Sequence, residues 1–189
     1  LLSDSPWGVM SEEGGWLREP ASPDDPYWVI DPLDGSYNFM RGIPLCAVSI
    51  ALCQGMTPLA GAVYDFVRDE LVHTNETAGL YRNGERIDRA ALGGPSSLST
   101  GIPAATRSNA EAAAKNAEAL NAWGKVRMIG SAALSLSWVA QGKLDGYKET
   151  GIRWWDVAGG LALVRASGGN FTVANDDIWS PLEVSANGR

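Results

Sequence analysis

The sequence predicts a layered α+β protein, and three observations carry that prediction. Short apolar runs broken by turn residues crowd the first half. In the second half, apolar runs alternate with stretches rich in helix formers. Glycine and Asn-Gly pairs fall at the boundaries between them. The 189 residues suffice for one sizeable core, or for two small lobes sharing a sheet. Residues 1–100 read as a strand-rich half and residues 101–189 as an alternating half, together one structural unit.

Taken in order, "WGVMS" reads as a short strand, Trp7 to Ser11, running into an acidic, Gly-rich loop. "EPASPDDP" is a loop by its three prolines. "YWVI" is a strand, and "PLCAVSIALCQG" is a second, largely buried one. "TPLAGAVYDFV" and "ELVHTN" pair antiparallel around "VRDE", and "LYRNGERI" is a tight hairpin, so this half is a mainly antiparallel sheet. "SNAEAAAKNAEALNAW" is a helix with Ser108 as N-cap. After the strand "KVRMI", "SAALSLSWVAQG" is a helix closed by Gly142. "LDGYKE" is a strand, "WWDVAGGLALVRASGG" a helix ended by Gly168 and Gly169, and "NFTVAN" a last strand.

Composition narrows the function classes. The chain is 45% hydrophobic and 20% charged, the balance of an ordinary globular protein. No apolar run approaches the ~20 residues a membrane span requires, so no membrane association is expected. The net charge is −7 with no Lys/Arg-rich block, which argues against nucleic acid. Cys46 and Cys53 lie at odd spacing in one apolar run, on opposite strand faces where they cannot pair. A reduced, cytoplasmic setting follows. His73, the only histidine, reads as a solvent-facing strand residue, so histidine-based catalysis and His-rich metal sites are poor fits.

The chemistry concentrates in "WVIDPLDGSYNF", Trp28 to Phe39. Asp31 and Asp34 at a strand end repel each other and lose hydration unless solvent or a cation takes up the charge. Pro32 makes Asp-x-x-Asp a turn, which brings the two carboxylates to one side. Gly35 and Ser36 then offer backbone N–H groups at a short helix start, a setting that favours phosphate. Taken alone, the same residues also describe an Asx-type turn with Ser36 as an N-cap. Glu12 and Glu13 follow a strand before a Gly-Gly pair, and Asp156 opens a helix. Acids at strand ends and helix starts fit oxygen-ligated Mg²⁺ better than zinc.

"WVIDPLDGSYNFMRGIP" resembles the metal-binding signature of the inositol monophosphatase superfamily, and "WWDVAGGLALVRASGG" resembles its second signature. "SEE" resembles the upstream acidic element, and all three occur in the family's order. "GAVYDF", "NGERI" and "GSAALSLSWVAQGKLDGY" extend the similarity over nearly the whole chain. The resemblance implies the layered αβαβα sandwich shared with fructose-1,6-bisphosphatases. It implies a Mg²⁺-dependent, lithium-sensitive phosphatase with catalytic Glu12, Asp34 and Ser36. Glu12, Asp31 and the Leu33 carbonyl would bind one Mg²⁺, and Asp31, Asp34 and Asp156 a second. Gly35 and Ser36 would hold the phosphate, and Ser36 with Glu12 would orient the attacking water. Gly130, Ser131, Ala132 and Glu149 would meet the substrate, beside Asp156. Phosphate monoesters need about 20 kcal/mol of barrier reduction or more, which two metals are suited to supply.

Two departures stand out. Ser36 replaces the family's threonine and lacks its rotamer-restricting methyl. The family's N-terminal helices, with the loop that binds a third metal, have no counterpart, and Leu1 and Arg189 read as cut ends. The expected substrate is a small polyol or sugar phosphate, foremost inositol monophosphate. Fructose 1,6-bisphosphate is the alternative, with Arg107, Lys148 and Arg153 as candidates for its second phosphate. A non-catalytic regulatory protein on the same fold is the competing reading. A homodimer is expected, because family members commonly dimerise and Trp123 and Trp138 need cover on their helices.

Overall fold

The structure, a computed structural model, describes residues 4–74, 79–91, 93–101, 109–175 and 177–188. Ser108 and Arg107 lie outside them. An eight-stranded sheet comprises β1 (Gly8–Ser11), β2 (Gly15–Arg18), β3 (Tyr27–Asp34), β4 (Ala47–Gln54), β5 (Thr57–Asp65), β6 (Glu70–Thr74), β7 (Leu80–Arg82) and β8 (Glu85–Ile87). Its spatial order is β2-β1-β3-β4-β5-β6-β7-β8, antiparallel throughout except for the parallel pair β1–β3. The Asn-Gly hairpin joins β7 to β8, with Asn83 and Gly84 at φ 50° and 83°.

A five-stranded sheet has the order β10-β9-β11-β13-β12. Its strands are β9 (Ser97–Thr100), β10 (Lys125–Arg127), β11 (Gly146–Ile152), β12 (Asn170–Ala174) and β13 (Leu182–Asn187). β9 therefore pairs in the second sheet although it precedes residue 101. Among the described residues the helices are α1 (Ser36–Met40), α2 (Ala110–Leu120), α3 (Ala132–Gln141) and α4 (Trp154–Ala166).

Two helices, α3 and α4, lie between the sheets and are apolar nearly all round, as a helix with neighbours on every side must be. Close approach explains two glycines in α4. A Cβ on Gly159 would run into Ser49 Oγ, and one on Gly160 into the Leu136 side chain of α3. The core these layers enclose includes Met10, Val29, Cys53 and Val63 from the first sheet, Leu134, Leu136, Trp154 and Leu161 from the helices, and Tyr147 and Val184 from the second sheet. Trp123, just beyond α2, covers Gly146 on the far face of the second sheet. Trp138 packs partly against the core, with the Arg68 guanidinium 5.8 Å above its ring. Both tryptophans thus find neighbours within the chain.

Several elements differ from expectation. Asp31–Asp34 is not a turn that ends a strand; β3 continues through it as a bulge. Opposite Asp31 stands Ser49 and opposite Asp34 stands Ala47, so three steps on β3 face two on β4. Strands β2, β9 and β13 were not anticipated. β2 is four residues long, too short to show a period. β9 is "SLST", a polar run whose hydroxyls find partners in the fold: Ser97 bonds Asp145, the buried Ser99 bonds Ser135 and the buried Thr100 bonds the Gly101 carbonyl. His73 is half-buried and stacks on Tyr81 at 5.5 Å rather than facing open solvent. No helix among the described residues is long and apolar enough to cross a membrane.

Candidate active site

A cavity of about 260 Å³ opens where the bulge in β3, the start of α1, the loop before α3 and the N-terminus of α4 converge. Regular alternation along a strand sends residues i and i+3 to opposite faces. The bulge cancels that, and Asp31 and Asp34 both point inward and are buried. Asp156, in the first turn of α4, joins them, with ligand oxygens of the three acids within 4.8 Å of one another.

Each carboxylate is held by one oxygen. Leu33 N–H donates to Asp31 Oδ1 at 2.9 Å. Asp34 Oδ2 accepts from Ser131 Oγ at 2.5 Å and from Ala133 N–H at 2.7 Å. Asp156 Oδ2 accepts from Arg153 N–H at 2.9 Å, which also satisfies the helix start. Asp31 Oδ2 is buried with no hydrogen-bond partner. Such an orphaned anionic oxygen is costly in an interior, and a hard cation is the partner that fits it.

Burial pushes Asp31 up to about 9, aided by the charges of Asp34 and Glu12 and opposed by the Leu33 N–H. Burial also lifts Asp34 to about 6, against the bonds from Ser131 and Ala133. It lifts Asp156 to about 7, against the Arg153 N–H and with the charges of Asp34, Glu12 and Glu149. Glu149 is raised by burial, while the Tyr147 hydroxyl, donating at 2.8 Å, lowers it.

The residues expected to bind metal, activate water or meet the substrate all line this one cavity: Glu12, Asp31, Leu33, Asp34, Gly35, Ser36, Gly130, Ser131, Ala132, Glu149 and Asp156. Glu12 approaches from the exposed turn between β1 and β2, and its charge bears on both Asp31 and Asp156. It stands outside the tight three-acid group. Glu13 is exposed and does not line the cavity. Ser131 is placed differently from a simple substrate contact. Its hydroxyl caps α3 by accepting from Leu134 N–H at 3.2 Å while donating to Asp34. The part of this loop left for a substrate is its backbone.

Sequence reasoning missed Tyr37, Thr100, Gly101, Ser135 and Ile152, which also line the cavity. It also missed Asn38, whose amide donates to the carbonyls of Leu45 and Ile129 at 2.8 and 2.9 Å and ties α1 to the loop before α3. Tyr37 and Asn38 stood within the motif and were legible there. Gly101 was not, because its importance lies in leaving room for the Glu149 carboxylate, which a Cβ would strike.

The profile of the inositol monophosphatase family matches residues 6–187. A Nus factor SuhB from Xylella fastidiosa is 41% identical over 167 residues, 86% of this chain and 59% of that protein. An inositol-1-monophosphatase from Mesorhizobium japonicum is 38% identical over 167 residues, 86% of this chain and 62% of that protein. A fructose-1,6-bisphosphatase/inositol-1-monophosphatase from Thermococcus kodakarensis is 37% identical over 178 residues, 93% of this chain and 64% of that protein. The chain thus spans about three fifths of the length of these relatives. Among solved structures, the inositol monophosphatase from Anabaena (Nostoc) superposes with a TM-score of 0.81 at 32% identity, covering 96% of this chain and 73% of that one. Inositol monophosphatase II from Staphylococcus aureus gives 0.83 at 27% identity, covering 100% and 72%.

Proposed function

The chain belongs to the inositol monophosphatase family, and from that premise we propose that it is a Mg²⁺-dependent, lithium-sensitive phosphatase hydrolysing a small polyol or sugar phosphate, foremost inositol monophosphate. One observation carries the reading. Five carboxylates line the cavity, and among its described lining residues there is no Lys, Arg or His. Such a cavity repels phosphate until divalent cations load it, and it is built to take them.

Glu12, Asp31 and the Leu33 carbonyl would hold one Mg²⁺, and Asp31, Asp34 and Asp156 a second. Bound there, the metals supply a water ionised near neutral pH and charge neutralisation at the phosphoryl and leaving oxygens. The Ser36 hydroxyl and the Glu12 carboxylate orient the attacking water, and the Gly35 and Ser36 amides hold the phosphate. Glu149, fixed by Tyr147, and the Gly130–Ala132 backbone receive the ring hydroxyls of the substrate.

The name of the Thermococcus relative raises fructose 1,6-bisphosphate as the alternative. A second phosphate needs a cation, and the two described candidates are engaged: Arg153 Nη1 donates to the Trp179 carbonyl, and Lys148 lies 3.9 Å from Glu183. That favours a monophosphate. The Nus factor names of other relatives raise a regulatory role, but a non-catalytic protein gains nothing from five clustered acids. We further propose a two-fold homodimer, supported by the exposed Tyr37, Phe39, Met40 and Val67, and a cytoplasmic setting, supported by the free, buried Cys46 and Cys53.

The test is phosphate release by the full-length protein from inositol 1-phosphate and fructose 1,6-bisphosphate side by side, with Mg²⁺ and with chelator. Metal-dependent turnover with a higher kcat/KM for inositol 1-phosphate is expected. Turnover unaffected by chelator would sink the assignment. Light scattering checks the dimer, which should persist with chelator.

A further inference from the structure

Glu12 differs from the other acids of the cavity in what holds it. Asp31 and Asp34 are buried on a central strand, and Asp156 is half-buried in the first turn of an interior helix. Glu12 sits in the three-residue turn between β1 and β2, and β2 is the edge of the sheet. Its backbone has one anchor in the interior, the N–H bond to the Ile30 carbonyl at 3.1 Å. Where Glu12 points therefore depends on what pins the hairpin from outside.

Trp179 does that pinning. It projects from the turn between β12 and β13, which Asp177 organises by accepting from Trp179 N–H at 3.0 Å and from the Ser180 hydroxyl at 2.6 Å. Its ring meets Trp16 of β2 edge-on at 6.3 Å and Trp155 of α4 edge-on at 6.2 Å. Trp16 in turn packs on Tyr27 of β3 at 5.2 Å. Trp155 immediately precedes Asp156, and the Arg153 guanidinium lies 6.0 Å from the Trp155 ring while donating to the Trp179 carbonyl. At the turn itself, Trp179 passes so near Gly15 that a Cβ there would touch it at 3.5 Å. One side chain thus bridges the hairpin that carries Glu12 and the helix start that carries Asp156.

We infer that Trp179 is a positioning residue for the metal centre, clasping the Glu12 turn to the Asp156 helix so that both acids reach the same cation cluster. The inference rests on the metal-dependent reading above and adds a residue outside the cavity lining. Aromatic edge-to-face pairs fix orientation as well as distance, which a single carboxylate on a hairpin turn needs. Trp179 is 43% exposed, so replacing it opens no cavity in the core.

Calorimetric titration of Mg²⁺ into the full-length protein tests this, comparing wild type, Trp179→Leu and Trp179→Phe, each also with Glu12→Gln. Trp179→Leu should weaken Mg²⁺ binding about tenfold, as loss of an outer support to a metal ligand does, and Trp179→Phe should recover most of that. With Glu12→Gln in place, Trp179→Leu should add no further loss. Unchanged affinity in Trp179→Leu overturns the inference, as does an equal loss with and without Glu12. A Trp179→Leu chain that fails to fold without Mg²⁺ overturns it too, because Trp179 is then a general fold residue. If the unmodified protein binds no Mg²⁺ at all, the metal-dependent reading fails first and takes this inference with it.

Discussion

Replacing Asp34 by Asn separates what the acid cluster does for the fold from what it does for chemistry. The change keeps the shape, and the Asn carbonyl can still accept from Ser131 Oγ and Ala133 N–H. It turns an NH₂ group toward Asp31 and Asp156 and removes one negative charge. Ligand oxygens of the three acids lie within 4.8 Å of one another. At that separation and an effective dielectric of ~20, each ionised pair repels by about 3 kcal/mol. Without metal, the Asn variant should therefore be at least as stable as wild type. With Mg²⁺ the order should reverse, since wild type gains binding energy that the variant forgoes. Turnover should fall by about a thousandfold or more, corresponding to about 4 kcal/mol of lost metal-borne charge stabilisation. Thermal unfolding with and without Mg²⁺, together with phosphate release, reads both effects. A variant less stable than wild type in chelator would show that Asp34 is a structural acid, and retained turnover would refute its place in the metal centre.

Three further outcomes are expected. Asp31, Asp34 and Asp156 all hold protons more tightly folded than unfolded, so the stability these three contribute without metal is fully present below about pH 4 and is lost as pH rises through about 6, 7 and 9. The rise in Tm on adding Mg²⁺ should accordingly be larger at alkaline than at mildly acidic pH, and scanning calorimetry across that window checks the sign. Ser131→Ala removes both the cap of α3 and a bond to Asp34, and should lower stability by about 1 kcal/mol and weaken Mg²⁺ binding about tenfold, with Ser131→Thr close to wild type by denaturant titration and calorimetry. Gly101→Ala drives a methyl into the Glu149 carboxylate and should destabilise by about 1–3 kcal/mol while raising KM for inositol 1-phosphate; an unchanged KM would remove Glu149 from the substrate site.

The clustered acids were legible because their determinants are local. Trp28 to Phe39 contains both aspartates, the Gly35–Ser36 pair and the start of α1 within one short stretch. Asp156 likewise announces itself at the head of an apolar helix. What the sequence hid depends on distant partners. β9 is a strand with a buried serine and threonine, and Ser97 is satisfied by Asp145, 48 positions away. The support of Glu149 by Tyr147 is close in sequence, yet it signifies only once the second sheet turns both toward the cavity. Trp179 gives no signal in its own turn, because Trp16 and Trp155 meet it only in the folded layers.

The bulge in β3 fixes the length of the signature more strictly than its composition. Whether Asp31 and Asp34 share a face is a question of parity, decided by the one residue that β3 carries in excess of β4. Deleting Pro32 would return β3 to regular alternation with both aspartates still on one face, but Leu33 would then directly follow Asp31 and its N–H could no longer turn back to Asp31 Oδ1. Inserting a residue there would demand a second irregularity to compensate. Pro32 itself is exposed, so many side chains can stand at that position while none can be added or removed. The segment therefore tolerates substitution but not change of length, and a frame of two strands counted out of step sets the spacing of the acid cluster.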